Sequence, residues 1–384
     1  MTARIAILGS TGSIGVNALQ VAAHLKDRFD VVALAADSNT ELLARQARST
    51  RAKIVSVGSP DNAGTLRRTL SKSVKVVAGE EGLLEIVARK DVDIVILAIS
   101  GTACLQPLLA SIRHRKRIAL ANKEAIVSAG ELVMAEAGRY GVTIVPIDSE
   151  HSAIFQCLEG KREYAAKVYL TGSGGPLRTV AKKDFDRRSA RSILAHPKWR
   201  MGRKISVDSA TMINKGLEII EARWLFGIDG KNIEVLIHPE AIVHSMVEFL
   251  DGSLLAQLGV PDMRIPIQYA LTHPARARTL ARRVNFVKEK TLSFFKPDTK
   301  KFPSLVLARH ALRMGGTYPA VLNAADEEAV KAYLAGRIAF TGIPVLVEKA
   351  LTRHRSRITK MLGIDDVLAA ERWAKEEVIR HCYR

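Results

Sequence analysis

The sequence predicts an α/β protein: an N-terminal Rossmann-like parallel sheet, a central α+β domain and a C-terminal helical bundle. Three observations predict it. Over residues 1–147, short and almost continuously apolar β-branched runs alternate with helical patterns, as in a parallel sheet covered on both faces. The segment GSTGSIG at 9–15 follows the first run and opens the first helical pattern, the placement of a phosphate-binding turn. After residue 303 the pattern is helical to the end.

In order, strands are predicted at 4–8, 31–36, 53–57, 74–78, 93–99, 117–121 and 143–147. Between them lie helical patterns at 17–26, 41–48, 82–89 and 124–139. The second domain, 148–273, carries strand patterns at 168–171, 234–237, 241–249 and 253–258. The turn Leu250-Asp251-Gly252 between the last two reads as a hairpin, so an antiparallel sheet with a free edge is expected there, a surface suited to a homodimer. Residues 208–227 read as a turn followed by an amphipathic helix. Residues 274–302 are basic and without apolar period, a connector, and the domain 303–384 has helices at 305–314, 318–335, 343–352 and 365–382. The basic run 353–357 reads as a solvated face.

Composition narrows the function classes. The chain has 58 basic and 39 acidic side chains, a net charge of +19, which attracts anions. Aromatics are only 5% of it and no nucleic-acid reading motif is present, so the charge points to an anionic small molecule rather than nucleic acid. Three scattered cysteines, Cys104, Cys157 and Cys382, suit a reducing cytoplasm and no disulfide framework. The opening MTARIAILGS is already a strand pattern, so no signal peptide is expected, and no apolar run approaches the roughly 20 residues of a membrane span.

Six segments carry possible chemistry. Gly9 permits a tight turn, Gly12 lets backbone approach a pyrophosphate and Gly15 allows close helix–strand packing, which makes a dinucleotide the expected ligand. At the end of the second strand Asp37 favours a ribose hydroxyl, whereas Ser38 and Asn39 suit a 2′-phosphate, and the choice stays open. Asp148 and Glu150 of DSEH follow the last strand, where two carboxylates can meet on a hard cation, Mg²⁺ or Mn²⁺. TGSGGP at 171–176 offers amides and hydroxyls to a phosphate. HPKWRMG at 196–202 combines a cation, a histidine and a large ring, as a lid over an anion does. In DSATMINKGLE at 208–218, Asn214 and Glu218 share a helix face beside Lys215.

In this order and spacing, GSTGSIG, LANKE (120–124), DSEH, TGSGGP, HPKWRMG, DSATMINKGLE and HPEAIVHSMVEF (238–249) resemble the 1-deoxy-D-xylulose 5-phosphate reductoisomerase family over essentially the whole chain. The resemblance implies a nucleotide-binding domain, a catalytic and dimerising domain, and a helical domain. It implies metal-dependent isomerisation and NADPH-dependent reduction of the ketose phosphate to 2-C-methyl-D-erythritol 4-phosphate, in the non-mevalonate isoprenoid pathway. The competing expectation is another NAD(P)-dependent dehydrogenase of a phosphorylated metabolite, without skeletal rearrangement. By the resemblance Asp148, Glu150 and Glu218 are the metal ligands and, with Lys123, the catalytic residues. Ser173, His196, Ser209, Asn214 and Lys215 hold the substrate, with Lys123 and Ser149 at its reacting end. Thr11, Gly12, Ser13, Ile14, Ser38, Asn39, Asn122, Glu124 and Gly202 surround NADPH, and Trp199 and Met201 belong to a flap. Asp37 and Arg200 depart from the family, which commonly has Gly or Asn at the first and a small residue at the second.

Overall fold

A computed structural model describes residues 2–199, 201–356 and 362–382. Arg200 and Arg357, singled out above, lie outside the described residues. The chain divides into two compact units. One comprises Met1–Ala125, Val133–Ser152 and Asp262–Arg282, the other Ile126–Leu132, Ala153–Pro261 and Arg283–Arg384.

In the first unit, β1 (Ala3–Leu8), β2 (Phe29–Ala35), β3 (Ile54–Val57), β4 (Lys75–Ala78), β5 (Ile94–Leu97), β6 (Arg117–Leu120) and β7 (Ile144–Pro146) form one sheet. Its order is β4-β3-β2-β1-β5-β6-β7 and every pairing is parallel, as the apolar runs predict. Ile5, Ile7, Leu8, Ile94, Ile96 and Leu97 are fully buried, because the helices cover both faces. These helices are α1 (Ser13–His24), α2 (Thr40–Thr50), α3 (Pro60–Thr69), α4 (Gly79–Ala88) and α5 (Leu105–Arg113), then the two ends of α6 (Glu124–Tyr140), whose Ile126–Leu132 belongs to the other unit, and the start of α7 (Ser149–Leu158). The patterns at 60–69 and 105–113 are not among the helices expected above. Strand order reverses about β1, whose neighbours are β2 and β5, and ligands of such sheets bind at the carboxyl ends beside that switch.

The glycine turn sits there. Gly9 has φ +96°, and a Cβ on it would lie 2.3 Å from the Ala98 carbonyl oxygen. A Cβ on Gly15 would lie 2.3 Å from the Gly9 oxygen, so this glycine lets α1 press against the turn. Gly12 meets only the Gly9 oxygen, at 3.4 Å, and is otherwise open.

The second unit contains β8 (Ala165–Gly172), β9 (Ile233–Ile237), β10 (Val243–Phe249) and β11 (Leu254–Leu258), in the order β11-β10-β8-β9. The β10–β11 hairpin is present, its turn held by Gly252 at φ +81°. The sheet is not purely antiparallel as expected: β8 pairs with β9 in parallel. The reason lies in the connection. Between them the chain forms α8 (Ala190–Leu194), α9 (Arg203–Thr211) and α10 (Ile213–Phe226), a crossover long enough to return a strand in the same sense. The expected turn before one helix is likewise corrected. Residues 203–226 are two helices broken at Met212, whose φ of +62° stops the first ladder and starts the second.

The chain then forms α11 (Arg264–Thr272), which belongs to the first unit, and α12 (Phe286–Glu289) within the basic connector. The helical end comprises α13 (Ser304–Met314), α14 (Tyr318–Leu334), α15 (Gly342–Arg353) and α16 (Ile364–Cys382). α10 is buried along most of its length, and at Gly216 it approaches α13 so closely that a Cβ would lie 2.6 Å from the Ala308 methyl.

Gly15→Ala is expected to lower stability by about 1–3 kcal/mol through overpacking, whereas Gly12→Ala costs less than about 1 kcal/mol. Urea unfolding of both variants measures the difference, and equal losses would contradict the packing assigned to Gly15.

Candidate active site

Because all seven strands of the first unit run the same way, their carboxyl ends bring one set of loops to one edge. Thr11, Gly12, Ser13 and Ile14 lie at the β1–α1 turn, whose backbone is pinned by a buried exchange: Ser10 Oγ donates to Gln46 Oε1 (2.8 Å) and Gln46 Nε2 to the Ser10 carbonyl (2.9 Å). Gln46 has no motif to announce it, only a polar residue on the buried face of α2. Ser38 and Asn39 follow β2, and Asn39 caps α2 by accepting from the Leu42 amide at 3.1 Å. The exposed Asp37 side chain lies over Gly58, where a Cβ would meet its Oδ1 at 2.1 Å.

Asn122, after β6, is nearly fully buried. Its amide reaches the carbonyls of Ile99 and Gly101 (both 2.8 Å) and Glu124 Oε2 (2.9 Å), and its Oδ1 accepts from the Ala125 amide. Beside it Lys123, largely buried, pairs with Asp148 Oδ2 at 2.5 Å. Asp148 starts α7, accepting the Ser152 amide at its carbonyl, and next to it Ser149 Oγ donates to Glu150 Oε2 at 2.5 Å. The Lys123 ammonium and the Asp148 carboxyl are in direct contact, and their burial strengthens the attraction between them.

The second unit gathers the remaining polar residues. Glu218 is fully buried and its oxygens are divided: Asn214 Nδ2 donates to Oε1 (2.5 Å) and Lys215 Nζ to Oε2 (2.7 Å). Lys215 also donates to the Thr171 carbonyl at 2.7 Å. Thr171 opens the TGSGGP segment, but its hydroxyl is turned inward: it donates to the Val243 carbonyl at 2.6 Å, tying β8 to β10. Close approach explains the glycines around 172–175. A Cβ on Gly172 would stand 2.8 Å from Lys215 Cε, and one on Gly175, at φ +69°, 2.6 Å from the Ser209 carbonyl oxygen. The glycine loop therefore lets Ser173 lie against the α9–α10 corner.

His196 Nδ1 accepts two backbone amides, from Lys198 (3.2 Å) and Trp199 (2.9 Å). Its hydrogen thus sits on Nε2, which donates to Ser173 Oγ at 3.1 Å. Trp199 has its ring 6.5 Å from that of His244. Met201 follows, and Gly202, assigned with the cofactor residues, is the N-cap of α9 in this second unit.

The donor set suits a hard divalent cation. Asp148, Glu150 and Glu218, the metal ligands expected from the sequence, offer oxygen only, the donor type a hard divalent cation takes. The buried Cys104 and Cys157, whose thiols burial pushes well up, the second to about 11, belong to the packing and not to any thiolate site.

Comparison with known proteins decides the family. Residues 5–130 match the profile for "1-deoxy-D-xylulose 5-phosphate reductoisomerase", and 144–226 and 258–377 match the profiles of its C-terminal domains. The 1-deoxy-D-xylulose 5-phosphate reductoisomerase of Acetivibrio thermocellus is 50% identical over 385 residues, 99% of this chain and 100% of that protein. The chain belongs to the 1-deoxy-D-xylulose 5-phosphate reductoisomerase family. The reductoisomerase of Chloroherpeton thalassium is 48% identical, covering 95% of this chain and 94% of its own. Among solved structures, the reductoisomerase of Zymomonas mobilis in complex with NADPH matches with a TM-score of 0.92 at 41% identity, over 100% of this chain and 99% of that one. A reductoisomerase in complex with NADPH, fosmidomycin and magnesium matches with a TM-score of 0.95 at 38% identity, over 99% and 98%.

Lys215→Met leaves the Glu218 charge buried without its ammonium, and is expected to cost about 3–5 kcal/mol. Adding Glu218→Gln should recover part of the loss, so urea unfolding of the two singles and the double closes the cycle. Additive losses would mean that the pair does not carry the helix start.

Proposed function

We propose that this chain isomerises and then reduces 1-deoxy-D-xylulose 5-phosphate to 2-C-methyl-D-erythritol 4-phosphate, with NADPH and Mg²⁺ or Mn²⁺. The observation that carries the reading is a full-length family match together with a buried carboxylate held between Asn214 and Lys215. When bound, the cation supplies Lewis acidity at the sugar oxygens and NADPH supplies hydride.

The protein's own residues do the rest. Asp148, Glu150 and Glu218 hold the cation. Ser173, Ser209, Asn214 and Lys215, with His196, bind the phosphate and backbone hydroxyls. The histidine tautomer gives that role a physical basis, since an Nε2–H and a serine hydroxyl are both donors to an anion. Lys123 and Ser149 address the reacting end, where the lysine holds a proton close to the carbonyl to be reduced. Skeletal cleavage and rejoining need both fragments retained, which phosphate anchoring and closure of Trp199 and Met201 provide. Thr11, Gly12, Ser13, Ile14, Ser38, Asn39, Asn122, Glu124 and Gly202 form the NADPH site. The positive N-terminus of α1 at Gly12 favours the pyrophosphate.

The protein acts as a homodimer in this reading. β11 ends its sheet with Leu254 and Leu255 exposed, and Leu250 in the adjoining turn is 72% exposed, an apolar edge that a second copy would cover. No described helix is long and apolar enough to cross a membrane. A cytoplasmic location and the division into 1–147, 148–273, 274–302 and 303–384 remain part of this proposal.

With 1-deoxy-D-xylulose 5-phosphate, NADPH oxidation should depend on Mg²⁺ or Mn²⁺ and yield a branched-chain tetrol phosphate. Glu218→Gln should lose turnover by at least about a thousandfold while NADPH binding stays within about twofold. An unbranched product would contradict the reaction, and joint loss of NADPH affinity would contradict the role of Glu218.

A further inference from the structure

The second unit buries a charge cluster that the reaction does not use directly. Asp208, on α9, and Asp326, on α14, are 2% and 0% exposed. Lys204 Nζ lies 2.7 Å from Asp208 Oδ2 and 3.2 Å from Asp326 Oδ2. Two carboxylates against one ammonium would leave an excess negative charge out of water, which is strongly unfavourable. The hydrogen bonding is also incomplete. Asp208 Oδ1 and Asp326 Oδ1 have no hydrogen-bond partner, and Asp326 Oδ2 has the Lys204 ammonium beside it without a formed hydrogen bond, while both carboxyls meet at that one ammonium through their Oδ2 atoms. One proton between the acids removes both defects, because it cancels the excess charge and supplies the missing donor.

We propose that Asp208 and Asp326 hold a single proton between them beside Lys204, and that this neutral buried knot fixes α9, making Asp326 a positioning residue for the reaction. The positioning rests on the substrate-binding role proposed above for Ser209, Asn214 and Lys215. α9 begins at Arg203, directly after the flap residues, and has Lys204 in its first turn. Asp208 stands one turn later, next to Ser209, and the helix ends at the Met212 corner from which α10 presents Asn214 and Lys215. One nine-residue helix thus joins the flap to the substrate wall, and the acid pair ties its middle to α14.

The electrostatics agree in direction. Burial pushes the Asp208 carboxyl up to about 7, with Lys204 opposing and Asp326 reinforcing the rise, and burial raises Asp326 too. The shift belongs to the pair. A further charge acting on it is Glu327 of α14, itself held by Lys331 at 3.1 Å and by Lys375 of α16 at 2.8 Å. Since the folded chain keeps the proton to a higher pH than the unfolded one, the cluster's stabilisation is complete below 3.8. It is lost as pH rises toward and through about 7.

The test compares Asp326→Asn and Asp208→Asn with the natural chain in thermal unfolding and in kinetics from about pH 6 to about pH 8. Either amide replaces the protonated acid permanently. Both variants should therefore flatten, by the same amount, the fall in melting temperature with rising pH. Substrate KM should rise with pH in the natural chain and stay level in Asp326→Asn. Asp326→Ala should raise it by about tenfold at unchanged NADPH affinity, with Asn rescuing. Equal pH slopes in all three proteins, or flattening by only one of the two amides, would overturn the shared proton. A flattened slope with KM unmoved in Asp326→Ala would overturn the positioning. Failure of the substrate-wall reading itself would appear separately, as Ser209→Ala leaving KM unaltered.

Discussion

The buried ion pair between Lys215 and Glu218 is the constraint on which the rest of the second unit depends. A carboxylate with no solvent exposure is tolerable only beside a partner charge and with its lone pairs engaged. That requirement reaches outward. Lys215 needs the Thr171 carbonyl, which fixes the end of β8, and Gly172 must lack a side chain for the lysine stem to pass. Gly175 must lack one for Ser209 to approach. The left-handed Met212 then turns the chain so that α9 and α10 follow each other without a shared axis. A helix start with an amide, an ammonium and a carboxylate on neighbouring positions is thus a fully engaged set of partners.

The first unit solves a related problem by topology. Parallel strands place every strand-to-helix loop at one edge, so residues far apart in the chain, from Thr11 to Glu150, reach that edge without any long-range pairing code. Its local conflicts are settled by single residues: Gly9 and Gly15 by lacking a Cβ, Asn122 by satisfying two carbonyls that a buried loop would otherwise orphan. A net charge of +19 surrounds these groups with a field that favours phosphorylated ligands.

What was legible in the sequence followed from period and local chemistry. Near-continuous apolar runs such as VVALA and IVIL can only be strands buried on both faces, and the spacing of Gly9, Gly12 and Gly15 has one economical turn. Features set by distant partners were not legible. Nothing local marks Met212 as left-handed, since that conformation is imposed by the packing of two helices. The parallel β8–β9 pairing depends on a crossover whose helices had been read as one. Gln46 and Asp326 look ordinary in sequence, and their roles arise from Ser10 and Lys204, which only the fold brings to them. The motif residues were visible because their chemistry is dense; their supports were invisible because theirs is not.

The proposed metal site requires Glu218 to be an oriented ligand rather than a structural acid satisfied by Asn214 and Lys215. Mn²⁺ titrated into the NADPH-bound protein, followed by loss of the free-ion electron paramagnetic resonance signal, measures this directly. The natural chain should take up one ion, and Asp148→Asn, Glu150→Gln and Glu218→Gln should each weaken uptake by at least about tenfold with the fold intact by circular dichroism. Undiminished uptake by Glu218→Gln would contradict it.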